Sequence, residues 1–149
     1  MNVADEPGLF FLDTNIFVYS FDITSPGKQQ VAQELIRQAL ETRRGVISTQ
    51  VIQEFLSVAL RKFARPMSSS EGRQYLQTVL MPLCQHYPSI DFYDRTLLLK
   101  ENTGYSFYDA LIATSAVELG CRILLSEDMQ SGRKIGDMVI INPFASPSK

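Results

Sequence analysis

Histidine and cysteine are scarce in this chain of 149 residues, which has one His and two Cys. His86 is the sole histidine, and the sequence shows no Ser/His/Asp or Cys/His nucleophilic arrangement around it. His86, in "CQHYP", reads as a helix-end surface or packing residue. Cys84 and Cys121 each sit in an apolar segment with no CxxC or Cys/His spacing, which argues against a zinc site and predicts buried free thiols in a reducing, cytoplasmic compartment. No apolar run approaches the roughly 18 residues of a membrane span. The opening "MNVADEPG" lacks the positive region and apolar stretch of a signal segment, so export is not expected. Positive charge is not in excess either. The net charge of −2 does not announce a partner with a phosphate backbone, although local patches matter more than the sum.

What is present is an ordinary globular mixture, 45% hydrophobic and 20% charged, long enough for a real core. No repeat, low-complexity tract or long linker divides it, so residues 1–149 are expected to form one domain. Leu9–Leu12 is a continuous apolar run, as in a strand buried on both faces. "TSPGKQQVAQELIRQALETRRG" predicts a helix, capped by Thr24 or Ser25, with Pro26 in its first turn and Gly45 at its end. A second strand follows at Val46–Thr49, then a helix burying Val51, Ile52, Phe55, Leu56, Ala59 and Leu60. Ser68 and Glu71 have capping-box spacing and open a helix that Pro82 ends or kinks. A weak strand is expected near Ser89–Phe92, then helices over Arg95–Asn102 and from Ser106 to Gly120. Strands at Arg122–Ser126 and Met138–Asn142 complete the order. Alternating short strands and amphipathic helices predict an α/β fold in three layers, α/β/α, around a parallel sheet of four to five strands. In such sheets function gathers beyond the carboxyl ends of the strands.

Four acids fall in that region. Asp13 directly follows the first strand, and Asp128 sits two residues beyond Arg122–Ser126. Glu54 and Asp109 lie near the starts of helices. Each has a plain structural explanation when taken alone. Asp13 suits a helix N-cap, Glu54 complements a helix dipole, Asp109 completes a capping box with Ser106, and Asp128 is a turn acid beside Glu127. Taken together, they converge on one sheet edge. Two carboxylates about 4 Å apart repel by roughly 4 kcal/mol at an effective dielectric of 20, so such a gathering needs a cation or protonation. Oxygen-only ligands point to Mg²⁺ or Mn²⁺, and that chemistry suits phosphodiester hydrolysis by metal-activated water.

"FLDTNIFVY", "STQVIQEFLSVALRKF", "SFYDALIATSAVELGCRILLSED" and "VIINPF" together resemble the PIN domain and, within it, the VapC-type toxins. The resemblance spans nearly the whole chain in order and spacing. It implies a metal-dependent endoribonuclease that leaves a 5′-phosphate and a 3′-hydroxyl, acts as a homodimer and is restrained by a small antitoxin. Carried over by position, Asp13, Glu54, Asp109 and Asp128 form the acidic quartet. Asp13 and Asp109 are then direct metal ligands, Asp128 serves a second ion or an outer shell, and Glu54 holds water. Thr14, Asn15 and Ser126 match positions that orient these carboxylates. Ser126 stands where Thr is common, and it keeps the hydroxyl.

Glu54, Ser57, Arg61 and Arg65 fall at offsets of 0, 3, 7 and 11, one helical stripe that offers RNA a basic track flanked by Lys62. Arg133 and Lys134 follow Asp128 closely enough to rim the same cleft. A solvated helix face and loop is the alternative for all four. A haloacid-dehalogenase-like phosphatase needs a second acid where Asn15 stands, and a receiver domain needs its Asp after a middle strand. The remaining rival is a PIN-like module that binds RNA or protein without cutting.

Overall fold

The computed structural model describes residues 2–145. Six strands form one sheet: β1 (Phe10–Leu12), β2 (Gly45–Ser48), β3 (Cys84–His86), β4 (Ile123–Leu125), β5 (Lys134–Ile135) and β6 (Met138–Ile141). Their order is β3-β2-β1-β4-β6-β5. All neighbours are parallel except the short β5, which pairs antiparallel with β6. The sheet thus exceeds the four to five strands expected and is mostly rather than wholly parallel.

β1 explains the continuous apolar run. Successive side chains of a strand point to opposite faces, and Phe10, Phe11 and Leu12 are all buried, so helices cover both faces of the sheet. The helices are α1 (Thr14–Tyr19), α2 (Pro26–Thr42), α3 (Thr49–Arg61), α4 (Ser69–Tyr75), α5 (Met81–Leu83), α6 (Ile90–Thr103) and α7 (Phe107–Glu118). Phe11, Phe17, Phe55, Leu124 and Leu125 lie at the centre of the core. Truncating one of these phenylalanines to Ala costs about 3–5 kcal/mol on general grounds.

Several local expectations are corrected. Ser89–Phe92 is not a strand: Ser89 accepts a hydrogen bond from the Phe92 amide at 3.1 Å and caps α6, which therefore begins at Ile90. The strand lies earlier, at Cys84–His86, where only alternate residues are buried. His86 accordingly sits in a strand rather than at a helix end; it is buried, packs against Phe92 and lies 2.8 Å from Glu118. Gly45 does not end α2. It is the first residue of β2, and a Cβ there would overlap Ala39. The left-handed C-cap position falls instead to Arg43, at φ 59°. Ser68 and Glu71 do form a reciprocal capping box, and the helix they open widens into a π turn at Leu76–Leu80 before Pro82 enters α5. Cys84 and Cys121 are buried free thiols, and burial pushes the Cys121 thiol up to about 12. Among the described residues no helix is long and apolar enough to cross a membrane.

β1 lies between β2 and β4, so chain order reverses at its carboxyl end. That crevice is where open α/β sheets place their sites.

Candidate active site

Asp13 leaves β1 and becomes the N-cap of α1. Its amide donates to the Leu125 carbonyl at 3.0 Å, which ties the ends of β1 and β4 together. Ser126, the first residue after β4, is thereby placed to donate its hydroxyl to Asp13 Oδ2 at 2.8 Å. The Thr14 amide donates to Oδ1 at 2.7 Å. Capping and chemistry are therefore not alternatives for Asp13, because one carboxylate oxygen caps α1 and the other faces Ser126.

The other acids approach from separate elements. Glu54, in the second turn of α3, accepts from the Thr14 hydroxyl at 2.9 Å and from Gln50 Nε2 at 3.4 Å. Asp128, beyond β4, accepts from Asn15 Nδ2 at 2.8 Å. Asp109 lies in the first turn of α7, where Ser106 Oγ accepts from its amide at 3.2 Å. Ser106 alone thus provides that cap. All four acids line one cavity of about 230 Å³.

No basic side chain lines this cavity among the described residues. Burial, together with the charges of Glu54 and Asp128, raises the Asp13 carboxyl to about 6, against the pull of its bonds from Ser126 and Thr14. A buried carboxylate among other acids is a site that favours a cation, and an all-oxygen donor set fits a hard divalent ion. The donors are gathered but not closed around a point: among the described residues no three acids, histidines or cysteines stand at ligation spacing. Each of Asp13, Glu54 and Asp128 is held by a neutral hydroxyl or amide donor. Thr14, Asn15 and Ser126 each donate to one of these carboxylates.

The basic residues are not brought into the cavity. α3 ends at Arg61, so the stripe stops there and Arg65 lies in the bend beyond it. Arg61 folds back on Ser57, its Nη2 donating to Oγ at 3.0 Å. Arg133 donates to the Thr103 carbonyl at 3.0 Å and lies over the Tyr105 ring, and Lys134 is exposed on β5.

Sequence reasoning missed Gln50 and Tyr108, which meet at the cavity wall through a 3.3 Å bond from Gln50 Nε2 to the Tyr108 carbonyl. Gln50 stands one helical turn before Glu54, a spacing that was available as a signal. It also missed the cluster that separates Glu127 from Asp128. Glu127 accepts from Tyr19 at 2.6 Å and from Lys28 at 2.7 Å, and so turns away from the cavity. Asn15 and Tyr19, one turn apart on α1, thus grip consecutive acids of the same loop.

The PIN domain family model matches residues 10–134, and the chain belongs to that family. Its resemblance within the family is to the VapC type. Ribonuclease VapC7 of Mycobacterium tuberculosis (strain ATCC 25618 / H37Rv) is 30% identical over 142 residues, which cover 93% of this chain and 94% of that protein. Solved structures with the same fold include FitAcB from Neisseria gonorrhoeae, with TM-score 0.58 and 14% identity over 91% of this chain and 99% of that one. VapBC2 from Rickettsia felis, solved bound to a DNA fragment from their promoter, has TM-score 0.57 and 17% identity over 89% and 96%. VapC20 of Mycobacterium tuberculosis, described as a sarcin-ricin loop cleaving toxin, has TM-score 0.52 and 17% identity over 80% and 91%.

Proposed function

We propose that this PIN-family chain is a metal-dependent endoribonuclease and the toxin of a toxin–antitoxin pair. The observation that carries the reading is the convergence of Asp13, Glu54, Asp109 and Asp128 on one cavity at the β1 switch point, with Asp13 raised to about 6 by burial and by its acidic neighbours. The likeness to a protein named as a ribonuclease along nearly the whole chain supports RNA as substrate.

In this reading Asp13, Asp109 and Asp128 hold Mg²⁺ or Mn²⁺. A bound divalent cation supplies charge neutralisation at the attacked phosphate and makes hydroxide available near neutral pH. Ser126 and the Thr14 amide fix both oxygens of Asp13, and Asn15 fixes Asp128. The Thr14 hydroxyl fixes Glu54 Oε1 and leaves Oε2 to orient the attacking water and accept its proton. The burial that raises Asp13 also excludes bulk water from its side of the cavity.

Residues 1–149 form a single PIN unit in this account, acting in the cytoplasm as a homodimer and restrained by a small antitoxin. An apolar stripe on α6, with Ile90, Tyr93 and Leu97 exposed, supports a second copy as partner. A silent binding module would have no use for four converging acids, which is why catalysis is preferred.

The test is cleavage of a mixed RNA pool with Mg²⁺, Mn²⁺ or chelator, comparing wild type with Asp13→Asn. Cleavage is expected from the wild type alone, with metal alone. Equal activity in the variant, or activity in chelator, would refute the reading.

A further inference from the structure

A second hollow, of about 590 Å³, adjoins the acidic cavity and shares Val18 and Val58 with it. α3 links the two. Glu54 lies in the acidic cavity, Val58 one turn later forms the sill, and Lys62 at the helix end lines the far side, roughly 12 Å from Glu54 at 1.5 Å per residue. The floor is aromatic. Phe21 packs against Phe55, Phe63 and Tyr75 with ring centroids 5.9, 5.4 and 5.3 Å away, yet remains 39% exposed. Ile23 beside it is 81% exposed. One edge of Phe21 is anchored and another surface is open, which is how a stacking platform is built.

The charged groups of the hollow are not equivalent. Its two acids are engaged internally: Asp22 Oδ1 accepts from the Thr24 hydroxyl at 2.6 Å and its amide at 3.0 Å, and Glu71 closes the capping box with Ser68. Lys62 has no side-chain partner among the described residues, and Arg65 has only the long-range field of Glu71. Cations at the rim of an exposed aromatic floor match a single-stranded nucleic acid, which offers a π-face and a phosphate per unit.

We propose that this hollow seats an unpaired base of the RNA on Phe21 and Ile23, with Lys62 and Arg65 on its flanking phosphates, and so sets the register of the strand across the acidic cavity. The inference rests on the ribonuclease reading for its substrate class. It gives an acidic protein a local foothold for RNA, and it places sequence preference at a site separate from the four acids.

The test compares binding, in chelator, of a uridine 12-mer and an abasic 12-mer of equal charge. Wild type should prefer the uridine strand by about tenfold. Phe21→Leu combined with Ile23→Asn should bring that ratio close to one, and Ile23→Asn alone, at a solvent-exposed position, should lower it without changing Tm. Lys62→Ala with Arg65→Ala should weaken both strands alike and reduce the salt slope by about 1.4, the single-strand value for two phosphate contacts. A ratio of one in the wild type, or a ratio unchanged in the double variant, overturns the proposal. Loss of binding to a protein partner in that variant, with the ratio intact, overturns it in favour of a protein occupant. Cleavage in Mn²⁺ without base preference would sink the base site alone, whereas base preference without cleavage would sink the nuclease reading and leave the site standing.

Discussion

At the scale of the residue, Asp13 carries two duties in one side chain, and its pH behaviour follows from them. Its folded carboxyl is raised from 3.8 to about 6, chiefly by burial. Between those values the folded chain binds more protons than the unfolded one, so this group makes stability fall as pH rises through that window, and the loss is complete above about pH 6. At 1.36 kcal/mol per unit the cost is on the order of 2–3 kcal/mol. Asp13→Asn keeps an oxygen for the Thr14 amide and removes the charge. In chelator the variant should therefore be more stable than wild type at pH 7, by about 2 kcal/mol, and the gap should close near pH 4. Urea midpoints across that range measure it, and a variant less stable at pH 7 would show that the charge is not under strain. Asp109 poses the cap question separately. Because Ser106 holds the Asp109 amide, Ser106→Ala should cost about 1 kcal/mol, while Asp109→Asn should leave thermal stability in chelator nearly unchanged. The edge location of all four acids was legible, because strand ends and helix starts are marked by apolar runs and caps. The opposed orientations of Glu127 and Asp128 depend on Lys28, ninety-nine positions away from Glu127, and no local pattern encodes that.

At the scale of the element, what the chain shows locally and what packing decides come apart in a consistent way. Leu9–Leu12 and Arg122–Ser126 read as strands because central strands are apolar on both faces, and β1 and β4 lie within those runs. Cys84–His86 is an edge strand with one exposed residue in three, too short and too polar to stand out, and Ser89 marks a helix start where β-rich residues suggested a strand. Gly45 looked like a helix stop, and only the contact with Ala39 shows its real use. The loop after β4 is the element on which the candidate site depends most. α1 holds it twice, through Asn15 to Asp128 and through Tyr19 to Glu127, while Lys28 of α2 bridges Glu127 and Tyr19 at 2.7 and 3.2 Å. Lys28→Met should leave Glu127 held by Tyr19 alone and loosen Asp128. A ligand that binds only the folded state raises its stability according to its affinity, so the rise in Tm produced by Mn²⁺ should be smaller in Lys28→Met than in wild type, and Lys28→Arg should restore it. A lower Tm without metal and an undiminished Mn²⁺ increment would mean that the cluster only braces the fold.

At the scale of the whole molecule, the apolar surface that remains exposed is unevenly distributed. α6 buries Phe92 and Thr96 toward the protein, and its outward side carries Ile90 at 84%, Tyr93 at 40% and Leu97 at 55% exposure. These stand at i, i+3 and i+7, one stripe along the helix. Scattered apolar residues need no explanation, whereas a contiguous stripe on a helix marks a contact surface. The acidic cavity is built from the starts of α1 and α7, from α3 and from the loop after β4, so a partner on the outer face of α6 need not cover it. If two copies pair through this stripe, Tyr93→Asp with Leu97→Glu places like charges opposite one another at a desolvated centre. Interface centres carry most of the binding energy, so the dimer dissociation constant should rise by well over tenfold, equivalent to more than 1.4 kcal/mol. Light scattering coupled to size exclusion reads this directly, with Ile23→Asn as the control because it removes an even more exposed apolar side chain elsewhere. A mass near that of one chain for the α6 variant, beside a doubled mass for wild type and control, is the expected result. Wild type and variant sharing one mass would remove α6 as the dimer face.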